Sequence, residues 1–218
     1  MNTKKYNSDA AEELMNFFIP TEVPNYSLPD PALLRKYMDM KERIWWITGE
    51  IEYAEMVECV RFIQAINRED TAANIPAEER KPIRIFLFSN GGDLIATLMM
   101  IDAIKASTTP IYTINMGEAL SGACIILMCG HKRFALKHSR SLIHSGSSGI
   151  QGDYEKMEAA MDDYKALIAE LKNIVLENTT IPVSVYSKKR SKDWYQYADD
   201  QIKYGIVDKI IESLDEVK

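Results

Sequence analysis

A serine flanked by small residues opens an apolar run in the stretch GEALSGACIILMCG, between residues 117 and 130. At the first turn of a helix, the hydroxyl of Ser121 can accept a hydrogen bond from an unpaired N–H and act as a cap. It can also be a nucleophile, with the N–H of Gly122 donating to the oxyanion formed by its attack. Both interpretations stay open on these residues alone, and the second requires a base.

Three histidines are candidates for that base. His131 and His138 stand at the two ends of the charged segment HKRFALKH, where we expect turns. His144 ends the apolar strand candidate SLIH and precedes a Gly/Ser-rich segment, which leaves open space beside its imidazole. A structural role for His144 remains an alternative. The spacing of the histidines does not fit a helical metal site, which disfavours a zinc hydrolase.

The elements that must position these side chains alternate between strands and helices. The strand candidates RIWWITGEI, IRIFLFS and PIYTINM are each followed by a helical segment, the third after a loop GEAL. This alternation predicts an α/β fold with a mostly parallel sheet. Reactive groups in such sheets collect where a strand's carboxyl end meets a helix.

A glycine pair, Gly91-Gly92, follows IRIFLFS at one such position. Glycine allows a ligand to approach the backbone closely, but on these residues alone a plain turn is the favoured interpretation of the pair. No GK[ST] follows, which argues against a phosphate loop. The polar segment at 67–82 is expected to be a surface connection.

The second half of the chain contains shorter elements and one long helix. RFALK and SLIHS are short strand candidates, Tyr204-Gly205 is expected to end a helix, and IVDKII is predicted as a last strand. Residues 153–178 have a helical apolar stripe, which fits packing on the chain's own sheet or contact with a partner.

Composition narrows the function classes. The net charge of −6 provides no basic footprint for nucleic acid or an anionic membrane, and the cluster KKR at 188–190 fits a solvated helix face. No uncharged apolar segment is long enough to cross a bilayer. The cysteines fit reduced core thiols: Cys59, Cys124 and Cys129. We therefore expect a soluble, cytoplasmic protein with one main domain.

Taken together, these segments resemble ClpP, the serine peptidase subunit of the Clp proteases, from about residue 43 to residue 211. RIWWITGEI is similar to the family's first core strand, and FSNGGD stands where the family has Ser-Pro-Gly-Gly. MGEALSGA matches the nucleophile segment, and KRFALKHSRSLIH matches the run to the catalytic histidine. KDWYQYADDQIKYGIVDKI resembles the segment in which an aspartate precedes an aromatic residue and a helix ends in Tyr-Gly.

The resemblance implies a ClpP/crotonase-like α/β fold: a repeated ββα superhelix with a mostly parallel sheet and a protruding long helix. Together with the charged, proline-containing pattern of the first 40 residues, it divides the chain into an N-terminal arm (1–40), a peptidase domain (41–213) and a C-terminal tail (214–218), and the arm does not resemble the family's short axial loop. The long, handle-like helix is expected at 153–178 within the domain. The arm is predicted to be extended with one short helix.

The resemblance also implies a site. Ser121 would be the nucleophile, His144 the general base and Asp193 the residue that orients the imidazole. The backbone N–H groups of Gly92 and Gly122 would form the oxyanion hole. An extended peptide would pair with the backbone after Gly92 and after His144. The implied peptide-binding residues are Asp93, Leu94, Ser145, Gly146 and Ser147.

The sequence departs from the family at several positions. Asn90 and Gly146 stand where prolines are common, and Gly122 replaces the usual methionine beside the nucleophile. The 67–82 connection is longer than usual. We expect the change at Gly122 to affect rate and substrate preference more than the reaction type, and Asn90 to loosen the turn before the glycine pair.

The expected function is that of a serine endopeptidase that hydrolyses peptides through an acyl-enzyme and needs no cofactor. The family implies two stacked seven-membered rings and an ATP-consuming unfoldase that feeds them. Arg84 and Ala106 fall near positions where the family's docking pocket is aromatic, which weakens the expectation of an ATPase partner.

Three alternatives remain. The first is a catalytically silent ring subunit with the same fold. The second is a crotonase-type enzyme acting on acyl-CoA thioesters. The third, a signal-peptide peptidase, normally has a lysine base and a membrane anchor, and neither is indicated here.

Overall fold

The computed structural model describes residues 30–146, 149 and 151–217. Residue contacts divide the chain into two units, Met1–Ile44 and Trp45–Lys218. In the first unit, helix α1 (Pro31–Lys41) begins at Asp30, whose carboxylate accepts a hydrogen bond from the N–H of Ala32. Most of the predicted arm, residues 1–29, lies outside the described residues.

From residue 44 to residue 128, strands and helices alternate as predicted, and shorter elements follow. The strands are β1 (Ile44–Ile51), β2 (Ile83–Gly92), β3 (Ile111–Leu120), β4 (Lys132–Leu136), β5 (Arg140–Ile143), β6 (Trp194–Tyr197) and β7 (Lys209–Ile211). The helices are α2 (Tyr53–Ala72), α3 (Leu94–Ala106), α4 (Gly122–Met128), α5 (Tyr154–Asn178), α6 (Val183–Lys189) and α7 (Ala198–Lys203). Short 3₁₀ turns cover Ala77–Glu79 and Leu214–Val217.

The described strands form one sheet with the order β1-β2-β3-β4-β7. The pairs β2–β3, β3–β4 and β4–β7 are parallel, and β5 pairs with β3 in the same sense. β6 runs antiparallel to β5. The prediction of an α/β fold with a mostly parallel sheet is therefore confirmed.

On the edge opposite β2, β3 pairs with two different strands along its length. Residues 112–115 pair with β4, and residues 118–120 pair with β5. Asn115 fills the point where the sheet forks: its amide donates to the carbonyl of Arg140 (3.0 Å) and to Gln201 Oε1 (3.2 Å), and its Oδ1 accepts from the N–H of Gly117 (3.1 Å). The fork brings the ends of β3 and β5 side by side.

The core consists mainly of isoleucine, leucine and methionine side chains contributed by the sheet and by α2, α3 and α4. The three cysteines are buried and unbridged. Helix α5 differs from the other long helices, because every residue from 154 to 163 is exposed. Its fully buried side chains are Ile174 and Val175, near its end. Along the described part of the chain, no helix is both long and apolar enough to cross a membrane.

Two expected loops are part of regular elements. The first six residues of the predicted 67–82 connection belong to α2, whose last turn is anchored by the buried Asp70, the acceptor of a 2.7 Å hydrogen bond from Thr109 Oγ1. The predicted loop GEAL belongs to β3, because Glu118 to Leu120 pair with β5. Both corrections depend on partners distant in sequence.

Candidate active site

Ser121 occupies the single residue between β3 and α4, with φ 53° and ψ −123°. A non-glycine residue with this backbone conformation is strained by about 1–3 kcal/mol and needs external support. The N–H of Ser121 donates to the carbonyl of Leu142 on β5 (3.0 Å), which holds the turn. The hydroxyl makes no cap hydrogen bond to α4. The turn therefore exposes the hydroxyl at the end of the sheet.

His144 lies directly after β5 and reaches that hydroxyl. Its Nε2 is 2.7 Å from Ser121 Oγ. The two residues are 23 positions apart in sequence, and the β3–β5 pairing, which sets Leu120 opposite Leu142, brings them together. This is the distance that a general base needs to take the proton of a serine hydroxyl.

Asp193 stands just before β6, next to the residue that pairs with the end of β5. Because Trp194 pairs with Ile143, the carboxylate of Asp193 lies near the Nδ1 side of the His144 imidazole. Asp193 Oδ1 lies 3.6 Å from His144 Nδ1, and the Asp193 side chain is 65% exposed. This separation is longer than a hydrogen bond but within the range of an ion pair with a protonated imidazole. From the residues alone Asp193 is an ordinary surface acid, and only the family resemblance pointed to it.

The glycine pair forms the end of β2 and packs against the turn at Ser121. Gly91 has φ +86°, and a Cβ there would lie 2.6 Å from the carbonyl oxygen of Leu120 and 2.9 Å from the nitrogen of Gly122. A Cβ on Gly92 would lie 2.4 Å from the carbonyl oxygen of Ile51. Close backbone contact therefore requires glycine at both positions. The pair is part of a strand, and the plain-turn interpretation is wrong.

Gly122 has a side-chain neighbour that explains its identity. A Cβ at this position would lie 2.5 Å from Thr97 Oγ1. Thr97 is fully buried on α3, and its hydroxyl donates to the carbonyl of Asp93 (2.7 Å). The threonine thus occupies the volume that a larger residue beside the nucleophile would need.

A pocket of about 380 Å³ opens in front of Ser121 and His144. Asn90, the glycine pair and Gly122 line it on one side. Its walls are mainly apolar and come from α3, α4, β5 and α5: Leu94, Ile125, Leu142, Ile143, Ile168, Leu171 and Val175. Among the described residues that line it, Glu50 carries the only carboxylate.

The structure places only some of the implied peptide-binding residues in the pocket. Leu94 and Gly146 line the pocket. Asp93 caps α3 instead: its carboxylate accepts from the N–H of Ala96 (2.8 Å), and its N–H donates to the carbonyl of Ile51 (2.9 Å). Both groups therefore already hold a hydrogen bond within the chain.

Ser145 is also engaged within the chain. Its N–H donates to the carbonyl of Arg190 (2.8 Å), and its carbonyl accepts from the hydroxyl of Tyr164 on α5 (3.3 Å). Ser147, the last of these predicted residues, lies outside the described residues. The contact through Tyr164 links the long helix to the segment that follows the histidine.

Sequence reasoning did not identify Thr97, Asn115 or Glu50 as parts of the site. Glu50 offered one signal, its place near the end of a strand candidate in an α/β pattern. Thr97 and Asn115 offered none, because their roles depend on residues far away in sequence.

The two cysteines that follow Ser121 in the chain are not competing nucleophiles. Burial raises the pKa of Cys124 to about 12, and burial likewise raises the pKa of Cys129 to about 12. Both thiols are therefore neutral at physiological pH and poorly reactive. Within the described ranges, no group of three or more His, Cys, Asp or Glu side chains is arranged to hold a metal ion.

Comparison with known proteins gives a consistent result. Residues 37–214 match the family described as Clp protease. The chain is 31% identical over 200 residues to the ATP-dependent Clp protease proteolytic subunit 2 of Treponema denticola, covering 90% of this chain and 95% of that protein. It is 33% identical over 143 residues to the subunit 2 of Chlamydia abortus (65% and 70% covered). It is 34% identical over 138 residues to the proteolytic subunit of Porphyromonas gingivalis (62% of each).

Proposed function

Because the chain belongs to the Clp protease family, whose members are serine-type peptidases, we propose that it cleaves peptide bonds with Ser121 as nucleophile, His144 as general base and Asp193 as the acid that orients the imidazole. The observation that carries this proposal is the 2.7 Å contact between His144 Nε2 and Ser121 Oγ. The strained turn that holds Ser121 supports it, since such strain is typical of functional sites.

In the first half of the reaction, Ser121 Oγ attacks the carbonyl carbon of the scissile bond while His144 Nε2 takes the hydroxyl proton. The resulting imidazolium is stabilised by the carboxylate of Asp193 on the Nδ1 side. The backbone N–H groups of Gly92 and Gly122 donate to the oxyanion, and each such donor contributes about 10²- to 10³-fold to the rate. The C–N bond then breaks, and the departing amine receives the proton from His144.

In the second half, His144 removes a proton from a water molecule, whose oxygen attacks the acyl-enzyme carbonyl. The bond between that carbon and Ser121 Oγ breaks, and the serine recovers its proton from His144. Every group in this cycle belongs to the chain, to the peptide or to water. The proposed reaction therefore requires no cofactor.

The assembly is a further part of the proposal. The exposed apolar side chains on the first half of α5, among them Met157 and Met161, support contact between copies of the chain, as the family's stacked seven-membered rings would need. An ATP-consuming unfoldase would deliver unfolded protein to such a chamber, and we place the assembly in the cytoplasm. Arg84 and Ala106 give this chain a docking surface that differs from the family's aromatic one.

The first experiment is intact-mass spectrometry after treatment with an uncharged fluorophosphonate, together with cleavage of a quenched fluorescent peptide. The wild type should gain one adduct and cleave the peptide, and Ser121→Ala should do neither. Ser187→Ala, an exposed serine on α6, is the matched control and should behave like the wild type. No adduct and no cleavage in the assembled wild type would instead support a silent ring subunit, and retention on coenzyme A resin would support the crotonase-type alternative.

A further inference from the structure

Glu50, near the end of β1, is the only acidic side chain among the described residues that line the active-site pocket. Apart from His144, the other described residues that line the pocket have apolar or neutral polar side chains. No hydrogen bond or ion pair joins the Glu50 carboxylate to another described residue. The pocket therefore presents one carboxylate that nothing in the described chain neutralises.

The position of Glu50 relative to the reacting atoms is defined by Gly92. The Cγ of Glu50 lies 3.0 Å from where a Cβ of Gly92 would stand, so the stem of the glutamate packs on this glycine. Gly92 is one of the two proposed oxyanion donors. Glu50 also lines the pocket that contains Ser121 and His144, so its carboxylate, one bond beyond Cγ, lies on the same side of that pocket as this proposed donor.

An extended peptide advances about 3.3 Å per residue, and its successive side chains alternate between two faces. A carboxylate beside the scissile carbonyl can consequently reach the side chains of the residues immediately flanking it. The apolar walls favour an apolar side chain inside the pocket. The negative charge favours a cation next to it and disfavours an anion.

We propose that Glu50 is a specificity-determining residue, which makes the enzyme prefer peptides with a lysine or arginine within two positions of the scissile bond. This inference rests on the proposed peptidase function and deepens it by naming the substrate class. Because Glu50 is exposed, the selection is modest: an exposed ion pair corresponds to a preference of up to about fivefold.

The test uses quenched fluorescent peptides in matched pairs. The two peptides of a pair differ at one position, which holds lysine in one and norleucine in the other. Each of the two positions before the cleaved bond and the two positions after it is tested in turn. Norleucine keeps the length of the lysine stem without its charge. The readout is the ratio of kcat/KM within each pair. We expect a lysine-to-norleucine ratio above one, up to about five, at one or more positions for the wild type, a ratio of about one for Glu50→Gln, and a ratio below one for Glu50→Lys.

Glu52→Gln is the control, since Glu52 is an exposed glutamate at the start of α2 that does not line the pocket, and it should retain the wild-type ratio. Ratios that are the same in the wild type and Glu50→Gln overturn the proposal. The proposal is also overturned if Glu50→Gln changes kcat/KM by the same factor for the lysine and the norleucine peptide. That result would mean that the carboxylate acts on the oxyanion and not on the substrate side chain.

Labelling of Ser121 by the uncharged fluorophosphonate, measured on the same samples, distinguishes failure of the Glu50 proposal from failure of the proposed peptidase function. Labelling and peptide cleavage without a charge preference overturn only the role of Glu50. Absence of both labelling and cleavage overturns the peptidase function, and the role of Glu50 with it.

Discussion

At the scale of single residues, the site depends on contacts that leave no room for a different side chain. Ser121 is held in a left-handed backbone conformation by the hydrogen bond to Leu142 and by the backbone of Gly91 packed beneath it. Gly122 and Thr97 form a complementary pair, in which the absence of one side chain makes room for the other.

This pairing predicts the outcome of a double-mutant cycle. Gly122→Ala alone places a methyl group 2.5 Å from Thr97 Oγ1, so we expect a loss of about 1–3 kcal/mol in the free energy of unfolding and slower labelling of Ser121. Thr97→Ala alone should cost about 1 kcal/mol through its hydrogen bond to Asp93. The double variant should be more stable than Gly122→Ala, because the hydroxyl that clashes is gone. Strictly additive unfolding energies would contradict the pairing.

At the scale of the elements, the fork in β3 determines where the three proposed catalytic groups meet. β3 leads directly to Ser121, and β5, which pairs with the last residues of β3, leads to His144. β6 then adds Asp193 by pairing with β5 on the other side. Three segments that are distant in sequence end at one place because each is aligned by strand pairing.

Asn115 is the side chain that stabilises the fork, and we expect its replacement to disturb catalysis. Asn115→Leu leaves the N–H of Gly117 and the carbonyl of Arg140 without these partners, at a cost of about 2–4 kcal/mol in the free energy of unfolding. We expect β5 to shift when this hydrogen bond to Arg140 is lost, and His144 to shift with it. Labelling of Ser121 should therefore slow under conditions where the variant remains folded.

The control for this prediction is Asn67→Leu, the same chemical change at the far end of α2. Asn67 Oδ1 accepts from the N–H of Thr109 (2.9 Å), so this variant also loses stability. It should nevertheless label at the wild-type rate below its melting temperature. Equal slowing in both variants would show that general destabilisation, not the fork, controls the site.

At the scale of the whole molecule, the exposed half of α5 is the feature that a single chain does not explain. Tyr154, Met157 and Met161 are 71%, 43% and 44% exposed, which leaves apolar surface in water. Tyr164, on the same helix, contacts the segment after His144. A partner that covers this helix would therefore also act on a residue connected to the active site.

We expect Met157→Glu combined with Met161→Glu to weaken the assembly, because burying two carboxylates in an apolar interface is costly. Sedimentation velocity should show the largest species shifting to smaller ones. Ala159→Glu, on the opposite face of the helix, adds one such carboxylate and should leave the distribution unchanged. An unaltered sedimentation profile for the double variant would exclude this face of α5 as the contact between copies.

Much of this protein was determined by local sequence. Alternating strand and helix patterns predicted the α/β fold, since hydrophobic periodicity depends only on neighbouring residues, and the small residues around Ser121 and the strand end at His144 marked both as candidates. The tertiary structure decided what depends on distant partners. It made GEAL a strand through β5, revealed β6, placed Asp193 beside the imidazole, and brought Thr97 under Gly122 and Glu50 beside Gly92. Such contacts join residues tens of positions apart, and nothing in the local pattern of either partner specifies the other.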